Sequence, residues 1–511
     1  MFSISFMDGY RTGTFTWNKK SVVIPNLVKV KKDIVLLDTI TIERPTLYKK
    51  KVKTDLKTVS LLRIPYYTPR SIAAQFVAKN IEFLTDKDAC PVYVSRYQEL
   101  NKKFLSNIPF YHIFFVFCPE ERKLLKTILY LRKKYPQSLL YTQAQPEEIP
   151  VLATAGVDLF NYTGSNERAL SKFLEHPEKH YLEKECNSTV RTKRLLRILY
   201  REFYNQIEKY TAFKQDKSLY ISTDALYRPE VQKFRQKIAE RYTPPSRICV
   251  LLPCSAKKPY RKSQSHQRFM SCIPKNAQVT QLILTSPLGV VPRELEDYVN
   301  YDIPVTGHWS HEEVSEAAFL LTEIIKKVKN PVVYAHIPQE YTPICDAIPF
   351  DITNTVVDHP LSEKSLKKLK SYLKDTPKSK FLNQKMRAVS QFLFDEDIFP
   401  KHITLKRRRR TLIVKSDTVL AEYTNDLKLM QKGADLLKNY TVSIDFDVKG
   451  DVFCPGVLSA DPKIRPGEQV VIKRGHAVGV GRAVVPGDVM TELEKGYAVK
   501  VSKRFHHAGK T

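Results

Sequence analysis

The stretch ICVLLPCSAKKPYRKSQSH, residues 248–266, joins a short apolar run to a dense group of reactive side chains. Its first part, residues 248–252, is wholly apolar and flanked by proline, which predicts a strand buried on both faces of a parallel sheet. The part that follows holds a cysteine, three lysines, a tyrosine, three serines and a histidine. Since ligands bind at the carboxyl ends of the strands in such sheets, we expect a binding site where this strand ends.

Two further apolar runs, at residues 281–285 and 331–335, predict two more parallel strands of the same sheet. Between them, Ser310 and Glu313 predict a capping box at the start of a helix. The apolar face of that helix repeats at helical spacing, at Val314, Ala317, Leu321, Ile324 and Val328. This alternation of strands and helix predicts an α/β core domain over residues 241–375.

The ends of the predicted strands gather polar side chains at one crevice. Cys254, Lys258 and His266 follow the first strand, and Ser286 follows the second. His336 follows the third strand, and the loop with His308 and Trp309, ahead of the capped helix, borders the same crevice. The alternative is that His336 and Trp309 only pack the edge of the sheet.

The charge balance of the chain predicts a polyanionic partner. Its 511 residues hold 83 lysines and arginines against 54 acids, a formal charge of +29, and solubility does not require so lopsided a surface. Nucleic acid is the leading candidate. A composition that is 42% hydrophobic and 11% aromatic predicts packed cores, and the length predicts three or four domains.

Several classes of protein are disfavoured. No apolar run approaches the ~20 residues of a membrane span, and the opening MFSISFMDGY lacks the pattern of a signal peptide, so we expect a soluble, cytoplasmic protein. The eight cysteines are scattered without a CxxC pair or a CxxxCxxC triplet. That spacing argues against a zinc knuckle, a disulfide framework or a radical-generating cluster, and we expect neither a metal ion nor a cofactor.

Two basic segments lie at the end of the core domain and after it. Residues 361–387 carry nine lysines and arginines against two acids, and residues 401–415 carry seven basic residues and no acid. The second segment runs into two strand-like stretches near residues 411–414 and 418–423, which predicts an ordered hairpin suited to phosphate contact in a basic linker or small α+β domain over residues 376–435. The alternative is a solvated charged face. The candidate RNA contacts in this segment are Arg407, Arg408, Arg409 and Arg410.

Residues 436–511 read as a small β-barrel with turns at Pro466-Gly467 and Arg474-Gly475. The stretches DVFCPGV, RPGEQVVI, AVGVGRAVV and GYAVKV resemble a PUA domain, the RNA-binding barrel of many tRNA and rRNA modification enzymes; a generic SH3-like or OB-like barrel is the alternative. The resemblance implies that the barrel approaches RNA through the residues Phe453, Gly456, Val457 and Arg482.

The motif that follows the first strand fits the pattern PCSxxKPYxxSxSH at all nine specified positions. That pattern resembles the signature of the archaeosine synthase family, archaeal relatives of tRNA-guanine transglycosylase. TSPLGVVPRELE at residues 285–296 and YDIPVTGHW at residues 301–309 are similar to two further stretches of the same family core.

The N-terminal region, residues 1–240, resembles a transglycosylase domain related to the TIM barrel, in FMDGYRTGTF (residues 6–15) and LATAGVDLFNYT (residues 152–163). Catalytic transglycosylases carry a CxCxxC zinc cluster, whereas this chain keeps Cys186 but has Ser188 and Arg191 at the other two positions. Asn161 also replaces an aspartate, and the region is short for eight strands. We therefore expect a degenerate domain that serves in tRNA docking or homodimer formation.

The resemblance implies the substrate and the reaction. Family members act as transferases on tRNA that carries 7-cyano-7-deazaguanine (preQ0) in its D-loop, and they add nitrogen to the nitrile. In members that work with a separate radical-SAM partner, the side-chain amine of free lysine is added to give an amidine. A separate radical-SAM partner then cleaves the amidine to archaeosine. A direct amidinotransferase that uses glutamine or ammonia is an alternative. A true transglycosylase and a non-catalytic tRNA-binding protein are two more.

The same resemblance suggests roles for the motif residues. Cys254 forms a transient thioimide with the nitrile, or it only packs in a binding cradle. His266 transfers the proton, and Lys258 or Tyr260 donates to the developing nitrogen. The residues expected to bind substrate are Pro253, Ser255, Pro259, Tyr260, Ser263, Ser265, Ser286, Glu294, His308 and Trp309.

Overall fold

The computed structural model shows a multidomain α/β protein, as the sequence predicts. It divides into two compact units, which are residues 1–212 with 444–467 and 482–500, and residues 213–443 with 468–481 and 501–511. The domain boundaries proposed from the sequence stay a prediction. The structure describes residues 2–8, 10–31, 34–45, 53–176, 179–212, 218–220, 223–303, 308–378, 381–399, 403–407, 411–415, 417–424 and 426–505.

The N-terminal region contains two sheets. The first is an antiparallel meander of β1 (Phe2–Asp8), β2 (Tyr10–Trp17) and β3 (Lys20–Ile24). The strands of the second are β4 (Asn26–Lys31), β5 (Ile34–Leu37), β6 (Ile40–Glu43), β7 (Ala89–Tyr93), β8 (Ile113–Phe117), β9 (Leu139–Thr142) and β10 (Leu159–Asn161). Its spatial order is β6-β5-β4-β10-β9-β8-β7.

The helices of this region mostly alternate with those strands. They are α1 (Arg70–Glu82), α2 (Gln98–Asn107), α3 (Glu121–Lys134), α4 (Ile149–Thr154), α5 (Gly164–Glu175), α6 (Lys179–Cys186), α7 (Val190–Glu202) and α8 (Tyr204–Ile207). From β7 to α5 the chain makes four strand–helix repeats in succession, and β7 to β10 pair in parallel. Four repeats are half of a complete (β/α)8 barrel, which agrees with the expected TIM-barrel-related fold.

The edges of the seven-stranded sheet are joined by a short segment. Leu56 bridges to Ile42 of β6, and Thr58 bridges to Ala89 of β7, both in parallel. The backbone N–H of Val59 also donates to the Ala89 carbonyl at 2.9 Å. The sheet is therefore linked from edge to edge as in a barrel, although β4, β5 and β6 pair antiparallel.

A buried carboxylate holds the start of β10. Asp158 accepts from Arg11 Nε at 2.7 Å, from Arg132 Nη2 at 2.7 Å and from the backbone N–H of Leu140 at 2.9 Å. Burial opposes its ionisation, but the two guanidinium groups hold the pKa of Asp158 below its usual value. The carboxylate thus ties β2 and α3 to two strands of the barrel-like sheet.

The second region contains the sheet predicted around the motif. Its elements are β11 (Ser218–Leu219), α9 (Pro229–Arg241), β12 (Ile248–Pro253), α10 (Gln264–Ser271), β13 (Thr280–Thr285), β14 (Gly289–Pro292), β15 (Tyr301–Asp302), α11 (His311–Ile325), β16 (Val332–Ala335), α12 (Thr342–Asp346), β17 (Ile352–Asn354) and α13 (Glu363–Leu373). The main sheet has the order β14-β13-β12-β16-β17, and β11 pairs with β15. The three predicted parallel strands are confirmed as β13, β12 and β16.

The predicted capping box of α11 is also confirmed. The Ser310 hydroxyl accepts from the backbone N–H of Glu313, and the Glu313 carboxylate accepts from the backbone N–H of Ser310. Ala317, Leu321 and Ile324 are fully buried on the predicted face. The helix ends at Ile325, so the predicted repeat runs one turn too far at Val328.

A small α+β region follows. It consists of α14 (Phe381–Phe394), β18 (Thr404–Arg407), β19 (Thr411–Lys415), β20 (Thr418–Tyr423), β21 (Leu427–Leu429) and α15 (Gln431–Leu436). The four strands pair antiparallel in chain order, which confirms the predicted hairpin as β19 and β20. Arg407 is the last residue of β18, whereas Arg408, Arg409 and Arg410 lie outside the described residues.

The C-terminal region is a six-stranded sheet. Its elements are β22 (Thr441–Ser443), β23 (Val452–Phe453), β24 (Ser459–Ala460), β25 (Gln469–Arg474), β26 (His476–Ala483), α16 (Gly487–Met490) and β27 (Tyr497–Arg504), and the sheet order is β23-β27-β26-β25-β22-β24. Gly467 and Gly475 adopt φ angles of 79° and 75° at the two predicted turns. Such angles favour glycine. Within the described ranges, no helix has both the length and the apolar character to span a membrane.

We expect Asp158→Ala to destabilise the N-terminal region by about 3–5 kcal/mol, because it leaves two buried guanidinium groups without their carboxylate. Urea unfolding of the full chain, followed by circular dichroism, measures the loss. Glu175→Ala, which removes an exposed carboxylate at the end of α5, is the matched control and should change the midpoint little. A shift below about 1 kcal/mol for Asp158→Ala would show that the ion pairs do not hold the sheet.

Candidate functional site

The motif begins where β12 ends, at a topological switch point of the sheet. From the central strand β12 the chain moves to β13 and β14 on one side, and it then crosses to β16 and β17 on the other. The crevice between the ends of β12 and β16 is where such sheets bind ligands. Cys254 directly follows β12, and its Sγ lies 3.4 Å from the hydroxyl of Tyr341, which follows β16.

An aromatic pair forms one border of this crevice. The rings of Trp309 and Tyr341 meet edge to face with centroids 5.0 Å apart. Cys254 and Trp309 are half-buried, and His308 is exposed. Burial, and next the neighbouring thiol, raises the pKa of Tyr341, so its phenol is neutral at physiological pH. Trp309, which the sequence predicted to border the crevice, thus lies beside Tyr341, the residue that contacts Cys254.

A row of hydroxyl groups lies beneath Lys258. The Nζ atom of Lys258 is 4.0 Å from the centroid of the Tyr301 ring, a cation–π geometry. The Tyr301 hydroxyl is 2.9 Å from that of Tyr260 and also contacts the Thr285 hydroxyl. Burial raises the pKa of both phenols, so this row is uncharged. The Tyr301 ring therefore orients the Lys258 ammonium group, and the hydroxyl groups beneath it carry no charge.

The end of β13 is tied to the start of α11. The Ser286 hydroxyl donates to the Glu313 carboxylate, which also accepts from the backbone N–H of Ser310 at 2.7 Å. Ser310 follows Trp309 directly. The capping carboxylate therefore positions Ser286 and the approach of Trp309 to the crevice together.

The serines of the motif have local roles. The Ser263 hydroxyl caps α10 by accepting from the backbone N–H of His266 at 3.3 Å, and it lies 3.2 Å from the Ser265 hydroxyl. The Ser255 hydroxyl donates to the Lys257 carbonyl at 3.1 Å. Pro253, the last residue of β12, and Pro259 are half-buried. A substrate-binding role for these residues stays a prediction.

His266 lies behind the crevice rather than in it. Its side chain is fully buried, and its Nδ1 lies 2.7 Å from Arg293 Nη2. Because a guanidinium group only donates, Nδ1 accepts and the ring proton sits on Nε2. Burial, and then the charge of Arg293, lower the pKa of His266 to about 3. This environment favours a positioning role, and proton transfer by His266 stays a prediction.

Two more predicted residues are enclosed. Glu294 is fully buried and accepts from the Tyr242 hydroxyl at 3.1 Å, and burial raises its pKa to about 7. His336 is buried between the Thr355 hydroxyl, 2.9 Å from Nδ1, and the Pro360 carbonyl, 2.7 Å from Nε2. Both environments favour structural roles, and the interpretation that His336 packs the sheet edge gains support.

A buried ionic cluster supports the motif loop from behind. Arg293 Nη1 donates to Glu296 at 3.0 Å, and Glu296 also accepts from the backbone N–H of Arg261 at 2.9 Å. Arg261 Nη1 lies 2.6 Å from Asp297. These contacts anchor the motif loop on its inner side through Arg261.

The predicted RNA contacts of the C-terminal sheet have mixed exposure. The Phe453 side chain is 50% exposed, and its ring lies 4.7 Å from that of Tyr497. A Cβ atom at Gly456 would come within 2.6 Å of the Phe446 ring, so a larger residue there would displace that partly exposed side chain. Val457 is buried, and Arg482 donates to the Gly467 carbonyl at 2.8 Å. Phe453 and Arg482 are therefore the members of this group that are open to solvent.

In the N-terminal region, the residues at the positions of the expected metal ligands make other contacts. Cys186 is fully buried, and Arg191 pairs with Glu148 and, at 3.3 Å, with Glu121. Asn161 Oδ1 accepts from the backbone N–H of Ala144 at 2.8 Å. In the part of the chain that the structure describes, no group of three or more histidine, cysteine or acidic side chains could hold a metal ion.

The structure adds residues that the sequence interpretation missed. Tyr341 lies 87 positions from Cys254 and belongs to none of the quoted motifs. Tyr301 and Arg293 do fall within family-like stretches, but nothing in the pattern indicated their contacts with Lys258 and His266. The only available signal for Tyr341 was its place just after the third predicted strand.

Two parts of the chain match known family models, and one solved structure is similar in sequence. Residues 231–373 match a family described as a domain of unknown function, DUF5591, and residues 442–505 match the PUA domain. AF0587, a solved protein of unknown function, is 31% identical with a TM-score of 0.46, and the match covers 54% of this chain and 100% of that one.

Two curated relatives cover most of the chain. Archaeosine synthase subunit alpha of Thermococcus kodakarensis is 32% identical over 449 residues, 76% of this chain and 79% of the relative. Archaeosine synthase of Methanocaldococcus jannaschii is 32% identical over 444 residues, 75% of this chain and 77% of the relative. The chain therefore belongs to the archaeosine synthase family and ends in a PUA domain.

Proposed function

We propose that the protein adds the side-chain amine of free lysine to the nitrile of preQ0 in the D-loop of tRNA, giving an amidine on the path to archaeosine. The observation that carries this proposal is the half-buried Cys254 thiol at the switch-point crevice, 3.4 Å from the Tyr341 hydroxyl. The family of the chain, whose relatives are named archaeosine synthases, supplies the substrate class.

The crevice suits a reaction at a nitrile carbon. A thiol that is reachable from solvent adds to an electrophilic carbon and splits one slow addition into two easier steps. Lys258 supplies a cation close to the thiol-bearing loop, held over the Tyr301 ring. Such a group orients an anionic or strongly polar part of the substrate and stabilises developing negative charge. The thioimide route through Cys254 belongs to this proposal.

Other outcomes are distinguishable. Glutamine or ammonia in place of lysine would convert the nitrile to archaeosine directly. A tRNA-binding protein without catalysis would leave the nucleoside unchanged. Base exchange is disfavoured, because Ser188 and Arg191 replace two thiolates of the zinc cluster and Arg191 is held in ion pairs with Glu148 and Glu121.

The proposal assigns the parts of the chain. Residues 241–375 are the catalytic core, residues 1–240 dock tRNA or form a homodimer, and residues 376–435 and 436–511 contact RNA. The term "subunit alpha" in the name of the Thermococcus relative supports a second enzyme, such as a radical-SAM partner, that acts on the amidine. A cytoplasmic location fits tRNA as the substrate.

One basic surface is ordered within the catalytic region. Helix α13 buries Leu369 and Leu373 completely and exposes Lys364, Lys367 and Lys370. Lys367 lies 3.6 Å from Glu363 in an exposed ion pair, which contributes little and is easily exchanged for a phosphate. The lysine face of α13 is therefore a site for contact with the tRNA backbone.

For the reaction, we expect wild-type protein incubated with preQ0-tRNA and lysine to yield a lysine adduct of the modified nucleoside. Mass spectrometry of the digested nucleosides, with lysine, glutamine and ammonia supplied in separate reactions, identifies the donor. Cys254→Ala should lower the adduct rate by at least 100-fold if the thiol adds to the nitrile. Cys272→Ala, a buried thiol at the end of α10, is the control.

An adduct made by Cys254→Ala at close to the wild-type rate would refute the thioimide while leaving lysine addition intact. An unchanged preQ0 nucleoside in every wild-type reaction would refute the proposed function.

For tRNA binding, we expect the triple substitution K364E/K367E/K370E to weaken affinity at least 10-fold at physiological salt. The slope of log affinity against log salt should fall by about 2 to 3, since each phosphate contact contributes about 0.7 to 0.9. Filter binding across a salt series measures both values. K326E/K329E changes two exposed lysines after α11 and serves as the control. An unchanged slope in the α13 variant would place the tRNA elsewhere.

A further inference from the structure

We propose that Tyr341 is the proton relay of the site: its phenol relays the proton of the Cys254 thiol to the nitrile nitrogen and later relays a proton of the attacking amine back to sulfur. The inference rests on the proposed addition to a nitrile and names the group that makes it possible. Its basis is the contact of 3.4 Å between Cys254 Sγ and the Tyr341 hydroxyl at the switch point.

The geometry holds the phenol firmly against the thiol. Tyr341 closes a 3-10 turn, residues 339–341, that links β16 to α12, and its backbone N–H donates to the Pro338 carbonyl at 3.1 Å. Its ring packs edge to face on Trp309 at 5.0 Å. Backbone and ring are thus both fixed, so the hydroxyl has little freedom apart from rotation of its own proton.

Two other ionisable groups near the motif are engaged in contacts away from the thiol. His266 is buried with Nδ1 bound to Arg293, so that nitrogen has no lone pair for the thiol proton. Glu296 is 2% exposed and bound by Arg293 and Arg261. Within the described part of the chain, Tyr341 is the side chain that shares a hydrogen bond with Sγ.

Because it is neutral, the Tyr341 phenol is suited to relay a proton and not to act as a general base. Burial and the adjacent Cys254 raise the pKa of Tyr341, so the group keeps its proton through the neutral range. A hydroxyl both donates and accepts, and it can take one proton as it releases another without a net change of charge. A half-buried crevice favours such a step, because separated charges are costly there.

The first step balances as follows. The sulfur electron pair forms an S–C bond to the nitrile carbon, and one C–N π bond opens onto nitrogen. The thiol proton moves to the Tyr341 oxygen while the Tyr341 proton moves to that nitrogen. The products are a neutral thioimide and a neutral phenol.

The second step runs the relay in reverse. The neutral amine of lysine forms a C–N bond to the thioimide carbon, and the C–S bond breaks with its electron pair on sulfur. A proton from the attacking nitrogen reaches the Tyr341 oxygen as the Tyr341 proton passes to sulfur. The amidine leaves, and Cys254 and Tyr341 are both restored.

The test compares Tyr341→Phe with wild type in single-turnover reactions on preQ0-tRNA without lysine. Quenching under denaturing conditions and measuring the protein–tRNA adduct by mass reports thioimide formation directly. We expect Tyr341→Phe to slow this step by about 100- to 10,000-fold, the range of general acid–base catalysis, and to change tRNA affinity less than twofold. Tyr334→Phe, on β16 with its ring 5.1 Å from Tyr372, makes the same change outside the crevice and should match wild type.

A fluorinated tyrosine at position 341 separates a relay from a packing role, since it keeps the ring and hydroxyl but lowers the pKa of the phenol. We expect the rate of thioimide formation to change with the acidity of the phenol. Thioimide formation by Tyr341→Phe within threefold of wild type, or a rate that the fluorine leaves unchanged, would overturn the relay even if the lysine adduct forms. No lysine adduct from wild type would instead overturn the proposed function.

Discussion

The buried guanidinium group of Arg293 holds together the segments that build the crevice. Its Nε donates to Gln281 of β13 at 3.0 Å, its Nη1 to Glu296 at 3.0 Å and its Nη2 to His266 at 2.7 Å. A planar fork of donors meets three acceptors on three segments, which a lysine could not match. Because an unpaired buried charge costs several kcal/mol, the segments keep this arrangement together.

The same ionic cluster extends into the small α+β region. Asp297 accepts from the Tyr423 hydroxyl of β20 at 2.8 Å and contacts the Lys385 ammonium group of α14, and it also pairs with Arg261 of the motif loop at 2.6 Å. Residues 376–435 are therefore more than a basic linker. Part of the charge of this region is directed inward and supports the loop that carries Cys254. The lysine face of α13, which precedes the region, points to solvent.

Local patterns were sufficient to predict the parallel strands, the capping box of α11 and the hairpin of β19 and β20, because each is a matter of periodicity or of residues a few positions apart. The roles within the motif were not predictable in this way. His266 and Glu294 looked like crevice residues, and both are fully buried. Tyr341 was missed because its contact with Cys254 spans 87 positions and depends on how β12 and β16 pair.

This difference changes how the fixed spacing of the motif is understood. Cys254 and Lys258 stand at the front of the loop, whereas Tyr260, Arg261 and His266 point back into hydroxyl and ionic contacts. The motif residues alternate between the crevice and the contacts behind the loop. This alternation constrains their spacing as strictly as a catalytic role would, because shifting one residue would remove a charge from its ion pair. Apart from Lys258, the paired charges lie behind the loop, and the thiol in front contacts the neutral hydroxyl of Tyr341. A neutral proton relay is the chemistry that such a division favours.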